Sequence, residues 1–398
     1  MTLNPSRRIA LVSAFPPGRL SLNEYGLHLA KELAVRSDVD AVIVLADHLL
    51  APLPELDLGP KVEIRRVWKF NSVGTLLRLL RELRAARADA VIFNLQTATF
   101  GDREVPAALG LLAPALARLI GVPSGIIAHN IIAGIDLDQT ILKGQRLRQT
   151  VVRAGGALVT GAMMRASYVT TTLQSYVDIL RKSYPKVNLH LVPHGTFDTA
   201  ERPWRPHATR PRRIATMGKF GTYKRLETLL SAFDLLRKTC EYADFELVIG
   251  GTDHPNTAGY LAGFVDARRD DSGVVFQGYV AEEAIHEFFE SALISVFDYE
   301  STTGSSGVLH QTASYGAVPV FPHIGDFVDI CRDEGLGGYH YTPGSAVGMA
   351  GAMVQALSHP QAAESLAMAN QKVALGLPFS GVIAFHMDKI NEIIHSRR

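Results

Sequence analysis

RRIATMGKFGTYKRLETLLSAFDLL, residues Arg212 to Leu236, reads as one strand, one turn and one helix. RRIATM is a short β-like apolar run. After the two glycines, Leu226, Leu229, Leu230 and Phe233 recur at i, i+3, i+4 and i+7, so a helix begins near Lys224 and buries that face. A buried strand feeding directly into an amphipathic helix is the repeating piece of a parallel sheet covered by helices.

The same alternation runs in both directions from this stretch. Before it lie the strand candidates RRIALVSAF, DAVIVLA, KVEIRRV, DAVIFNL, SGIIAHN, YVTTT and LHLVPHG, with helices such as Glu24 to Arg36 and Gly74 to Arg87 between them. After it come FELVIGG, GVVFQGY, LISVFDY and AVPVFPH, again separated by helical stretches. Thr199 to Arg213, TAERPWRPHATRPRR, has no apolar period and is rich in Pro and Arg, which marks a linker. The expected architecture is α/β, with two doubly wound, Rossmann-like parallel-sheet domains facing across a cleft. Residues 1–198 form the first, 199–213 the linker and 214–376 the second. Residues 377–398 form a last helix, with Ile383, His386, Met387 and Ile390 at helical spacing.

The bulk properties agree with this plan. At 398 residues the chain is longer than one core usually serves. Two cysteines, Cys240 and Cys331, are too few for a disulfide scaffold and lack metal-site spacing, so a cytoplasmic protein is expected. The apolar run at the start meets Pro16 and Pro17 too soon for a signal peptide. Val105 to Ile132 is broken by Pro114, Arg118 and Pro123, short of a clean membrane span. Residues 1–199 hold 23 Lys and Arg against 16 Asp and Glu, whereas residues 200–398 hold 17 against 23, so the halves have opposite charge. Either they bind different things, or solvated helix faces differ by chance.

Two stretches offer chemistry. The turn GKFGTYK puts Lys219 and Lys224 beside free backbone N–H groups and the positive end of a helix, a place for phosphate. The other reading is an ordinary βα turn with solvated lysines. The second stretch, YESTTGSSGVLHQTASYGAVPV (Tyr299 to Val320), ends a buried strand at Glu300 and then brings Ser305, Ser306 and Gly307 before a helix. Small residues there let backbone N–H groups approach an anion, and Glu300 can accept hydrogen bonds from sugar hydroxyls without a charge partner. A Ser-rich cap with a solvated Glu is the alternative.

GKFGTYK with its leucine-rich helix, VIGG, FQGYV and YE…GSSGVLHQTASYGAVPV resemble the donor half of the GT-B glycosyltransferases, in particular the retaining glycosyltransferase family 4, or glycosyl transferases group 1. VPHG (Val192 to Gly195) and the tail FSGVIAFHMDKINEI also resemble that family, whose last helix crosses back to the first domain. The resemblance covers residues 190–398 well and the rest loosely. It implies that Lys219 and Lys224 bind a donor diphosphate and that Glu300 binds the donor sugar. It further implies backbone contacts from Ser305, Ser306, Gly307 and Val308. Where the family has a second glutamate, Gln311 stands after a three-residue insertion, and Arg225 replaces a frequent glycine. SGIIAHN places His129 where the family has a histidine that contacts the sugar and supports catalysis; a structural hydrogen bond is the other reading.

The implied activity is transfer of a sugar from a nucleotide sugar, with UDP or GDP as carrier, to a hydroxyl of a glycan or lipid-linked acceptor. Configuration would be retained, no metal or other cofactor would be required, nucleic acid would not be a partner, and the setting would be polysaccharide biosynthesis. An inverting transferase, a nucleotide-sugar epimerase and a binding scaffold without turnover are the rivals. Asp136-Leu137-Asp138 spells a metal-binding DxD but lies apart from the donor motifs, so it reads as coincidence. Arg78, Arg81, Arg84 and Arg87 form either a solvated outer face or a basic face for peripheral contact with anionic lipid.

Overall fold

The computed structural model describes residues 6–131, 146–254, 256–301 and 304–397, with the backbone alone over 146–153. Asp136-Leu137-Asp138 lies outside the described residues. The chain divides into two units, Met1–Pro193 with Ser380–Arg398, and His194–Phe379.

The first unit is built on a parallel sheet of seven strands: β1 (Arg7–Val12), β2 (Val39–Asp47), β3 (Val62–Trp68), β4 (Ala90–Leu95), β5 (Ser124–Ala128), β6 (Tyr168–Thr171) and β7 (Leu189–Leu191). Their order is β3-β2-β1-β4-β5-β6-β7, so the winding reverses between β1 and β4. Both faces of the central strands are covered, which is why Ile9 to Val12 and Val91 to Phe93 have no measurable exposure and read as continuous apolar runs. The helix Thr75–Ala86 buries Leu79 and Leu83 and turns Arg78, Arg81 and Arg84 to solvent, where Arg81 pairs with Glu82 at 3.2 Å.

The last helix, Phe379–His395, belongs from Ser380 to this unit. Ile383, His386, Met387 and Ile390 are buried, as their spacing predicts. Two polar ties register it against the sheet. Tyr168 Oη lies 2.8 Å from His386 Nδ1, and Arg7 Nε donates to Asn391 Oδ1 at 3.2 Å.

The second unit repeats the pattern with six parallel strands: β8 (Arg213–Phe220), β9 (Glu246–Asp253), β10 (Val274–Gly278), β11 (Ile294–Val296), β12 (Val318–Pro322) and β13 (Tyr339–Tyr341). Their order, β10-β9-β8-β11-β12-β13, reverses between β8 and β11. Leu226, Leu229, Leu230 and Phe233 are all buried, each contributing about 1.5–3 kcal/mol of apolar burial. The Pro- and Arg-rich stretch is folded into this unit. Arg210 is buried there and donates to the carbonyls of Ala292 and Gly316 at 3.1 and 2.8 Å, and Trp204 Nε1 donates to Glu364. Among the described residues no helix is long and apolar enough to cross a membrane.

Candidate functional site

Ligands in a doubly wound sheet bind outside the carboxyl ends of the strands, where the winding reverses. In the second unit that point lies between β8 and β11, and the two quoted stretches meet there. Lys224 and Tyr299 form an isolated antiparallel bridge, with Arg225 N–H donating to Asp298 O at 2.8 Å and Glu300 N–H to Tyr223 O at 2.8 Å. Residues far apart in sequence are thereby fixed side by side.

Lys219 is in β8 itself, not in the turn, because the strand runs on to Phe220. Lys224 follows in the turn, and its Nζ lies 4.8 Å from the centre of the Tyr299 ring. Its side chain lies over Gly218: a Cβ there would come within 3.0 Å of Lys224 Cδ, so glycine makes the approach possible. The neighbouring strand does the same for Gly218, since Gly251 has φ +133° and a Cβ on it would strike the Gly218 carbonyl. Both lysine charges bear on His254. Burial holds its imidazole below the ordinary histidine range, and the charges of Lys219 and Lys224 lower it further.

One expectation fails here. The helix after the turn starts at Glu227, not near Lys224, and its first N–H groups are taken. Asp298, at the carboxyl end of β11, accepts from Leu229 N–H at 2.9 Å and also caps Thr228. Leu226 N–H donates to Tyr260 Oη at 2.9 Å, and Tyr260 in turn donates to Glu227 at 2.7 Å. That helix end is satisfied by the protein, so it offers a phosphate no open N–H group from Leu226 to Leu229. Asp298, Tyr260 and His254 all went unnoticed in the sequence. The Asp-Tyr-Glu triplet was the one available signal for Asp298.

Glu300 projects into solvent, its side chain 56% exposed, with Arg225 Nη1 at 3.6 Å from Oε2. A charge partner was not expected. Arg225 also contacts Glu227 at 3.2 Å, so the residue that stands in place of a frequent glycine ties the two carboxylates together.

The helix Gly307–Ser314 begins as the Ser-rich run predicts. Ser306 is its cap, its Oγ accepting from Leu309 N–H at 3.3 Å. This leaves the N–H groups of Gly307 and Val308 without an acceptor among the described residues. Ser305 Oγ is buried and has no partner among the described residues. The Val308 side chain packs against the apolar cluster around Val248, Phe288 and Ala317, so this residue offers only its backbone. Gln311 is half-buried one turn beyond Gly307 on the same helix face.

In the first unit the reversal between β1 and β4 carries a polar chain. His129, just past β5, is buried; its Nε2 lies 2.7 Å from Asn94 Oδ1, and Asn94 Nδ2 donates to Ser13 Oγ at 2.9 Å and to Leu22 O at 3.3 Å. Because Leu22 O only accepts, the Asn94 amide nitrogen faces it, its oxygen faces His129, and His129 Nε2 carries the proton. Tyr25 packs edge-on at 4.4 Å. Burial pushes the imidazole down to about 3, so it is neutral at pH 7. Asn94 and Ser13 were not singled out from the sequence, because only the strand order makes them neighbours of His129.

Residues 198–373 match the family model described as Glycosyl transferases group 1, and the match lies within the second unit. No curated protein matches the chain. Among solved structures, sucrose-phosphate synthase from Thermosynechococcus elongatus is similar with a TM-score of 0.74 at 16% identity, over 98% of this chain and 100% of that one. HepE from Anabaena in complex with UDP-glucose gives 0.64 at 15% identity, over 98% and 100%. WaaG, a glycosyltransferase involved in lipopolysaccharide biosynthesis, gives 0.64 at 16% identity, over 94% and 99%. At these identities the likeness is one of fold, the GT-B fold.

Proposed function

We propose that this chain, whose second unit is a glycosyl transferases group 1 domain on a GT-B fold, moves a sugar from a nucleotide-sugar donor to an acceptor hydroxyl. The carrying observation is the bridge between Lys224 and Tyr299, which fixes a lysine next to the residue before Glu300 and so supports a diphosphate and a sugar being bound side by side.

The roles follow from that placement. Lys219 and Lys224 neutralise charge on the diphosphate as the bond from the anomeric carbon to the phosphate oxygen breaks. The open N–H groups of Gly307 and Val308 and the hydroxyl of Ser305 supply further donors to phosphate or sugar, and Glu300 accepts from the sugar hydroxyls. Gln311 is the ribose ligand, donating or accepting through its amide. The acceptor oxygen bonds to the anomeric carbon, and its proton passes to the departing phosphate on the same face, which retains configuration. His129, neutral and with its ring fixed by Asn94, contacts the donor sugar, and unit 1 receives the acceptor.

UDP is the first carrier to test, because HepE was solved with UDP-glucose; GDP is the second. The acceptor in this reading is a glycan or a lipid-linked molecule; WaaG, of like fold, is involved in lipopolysaccharide biosynthesis. The experiment is a thermal-shift panel with UDP, GDP, ADP and dTDP and their sugar conjugates. A ligand at about 100 times its Kd adds about 2.7 kcal/mol to the folded state. One base should stabilise the protein, and its sugar conjugate should be consumed when acceptor is added. Binding without turnover against any acceptor mixture would favour a scaffold, and no response to any nucleotide would remove the donor site.

A further inference from the structure

His310 is buried on the helix Gly307–Ser314, and both ring nitrogens meet oxygen acceptors. Nδ1 lies 2.8 Å from the Ser306 carbonyl and Nε2 lies 2.7 Å from Glu334 Oε2. A backbone carbonyl only accepts, and a carboxylate only accepts, so satisfying both requires a proton on each nitrogen. The ring is therefore an imidazolium facing a carboxylate, and both side chains are nearly sealed, at 2% and 4% exposure.

This pair acts on the donor loop. Ser306 caps the helix with its side chain while its carbonyl holds His310, and Ser305 and Gly307 are its chain neighbours. His194, from the VPHG stretch, stacks on the His310 ring at 5.1 Å, and its Cε1 would lie 3.3 Å from a Cβ placed on Gly307. Glu334 ends the helix Gly325–Glu334, whose Asp326 accepts from Gly304 N–H at 2.6 Å on the other side of the loop. The backbone from Gly304 to Gly307 is thus held at both ends by that one helix, once through Asp326 and once through Glu334 and charged His310.

We infer that His310, as an imidazolium paired with Glu334, is a positioning residue for donor binding, holding the Ser305–Gly307 backbone in the form that meets the donor diphosphate and sugar. This rests on the reading of residues 305–308 as the donor loop. Loss of the His310 proton removes one of the two ring donors and leaves the Glu334 charge buried alone, so the loop loosens as pH rises. Burial works against the imidazolium, but the charge and hydrogen bond of Glu334 and the Ser306 carbonyl outweigh it and raise the His310 pKa above the ordinary histidine value. The groups facing the pair are His194 and the thiol of Cys331, which burial and Glu334 push up to about 12.

Calorimetric titration of the full chain with UDP-glucose, or with GDP-mannose where only that binds, tests this at about pH 6 and about pH 9. The diphosphate of these diesters does not ionise in that window, and any contribution from the base N–H near its top appears equally in the Glu334→Gln variant. Wild-type affinity should fall about tenfold between the two, ~1.4 kcal/mol. Glu334→Gln keeps the side-chain shape and removes the charge; it should bind about tenfold more weakly at the lower pH and show no fall at the higher one. In the wild type, 15N-labelled histidine spectra should show both His310 nitrogens protonated at neutral pH, identified by the signals missing in His310→Gln. A single-proton ring at neutral pH overturns the inference whatever the binding data show, and so does a Glu334→Gln variant that binds and responds to pH like the wild type. A wild-type protein that binds neither sugar nucleotide overturns the donor-loop reading and the inference with it, even with a doubly protonated ring. If Glu334→Gln does not fold, the wild-type spectra decide.

Discussion

Asp298 Oδ2 accepts a hydrogen bond from the Leu229 amide at 2.9 Å, so the end of β11 caps the helix that follows β8. This bond adds to the bridge that holds the two halves of the proposed donor site together, because Asp298 also receives Arg225 N–H through its carbonyl and stands two residues before Glu300. Burial pushes its carboxyl up to about 6, against about 3.9 in an unfolded chain. Between those values the folded state binds a proton that the unfolded state lacks. Stability of this unit therefore falls as pH rises from about 4 to 6 and stays at the lower level above it. Urea unfolding across that window should show the slope, and Asp298→Asn should flatten it. Asp298→Ala leaves buried amides uncapped and should cost about 1–3 kcal/mol; a cost near zero would mean that the cap does not hold the helix.

Lys224→Ala should separate binding from folding. The side chain leaves a face-on contact with Tyr299, which costs about 0.5–1 kcal/mol of stability. Its loss from the diphosphate should weaken donor binding at least tenfold, ~1.4 kcal/mol or more. A melting curve and a donor titration on the same sample check this. A variant with unchanged donor affinity removes Lys224 from the diphosphate.

Glu300 and Arg225 make a graded pair of tests. Glu300 is more than half exposed, so Glu300→Ala should leave stability within about 0.5 kcal/mol. If it holds sugar hydroxyls in the transition state, kcat/KM should fall about 100-fold, ~2.7 kcal/mol. Arg225 acts only through the carboxylates it touches at 3.2 and 3.6 Å, and exposed ion pairs of that kind contribute about 0–1 kcal/mol. Arg225→Gly should therefore lower kcat/KM less than about fivefold, mainly through KM. A larger loss than that of Glu300→Ala would make the arginine itself the ligand.

Strands were legible where a whole strand is buried on both faces. Ile9 to Val12 and Val91 to Phe93 are apolar without a break because helices cover each side of the sheet. β13 escaped for the converse reason: Tyr339-His340-Tyr341 is a three-residue edge strand with an exposed centre, so it carries no apolar run to detect. The placing of Lys224 near Glu300 was legible through the motifs. What occupies the helix ends was not. Asp298 capping Leu229, and Glu334 holding His310, depend on which strand and which helix lie alongside, and no local spacing encodes that. The linker was misleading because a Pro- and Arg-rich run without an apolar period is typical of exposed segments, yet here Arg210 and Trp204 meet carbonyls and a carboxylate that satisfy them.

His129 yields a prediction that separates burial from acid–base work. Its folded value near 3 lies below the ordinary value of about 6.5, so between these the unfolded chain takes up a proton that the folded one refuses. Stability of the first unit should therefore rise with pH through that window and be complete above it. His386, held near 3 by burial in the same unit, adds to the slope. His129→Gln should reduce the loss of stability between about pH 7 and 4.5 by at least ~1 kcal/mol, read by urea unfolding. The catalytic consequence is the sharper one. A ring that stays neutral down to about pH 3 contributes no ionisation to the rate between pH 5 and 8, so any histidine limb in that range must come from another residue and must survive His129→Gln, whatever the drop in kcat. A limb near pH 6–7 that disappears in His129→Gln would show that the ring takes up a proton in the working enzyme, and that its hydrogen bond to Asn94 opens to let it do so.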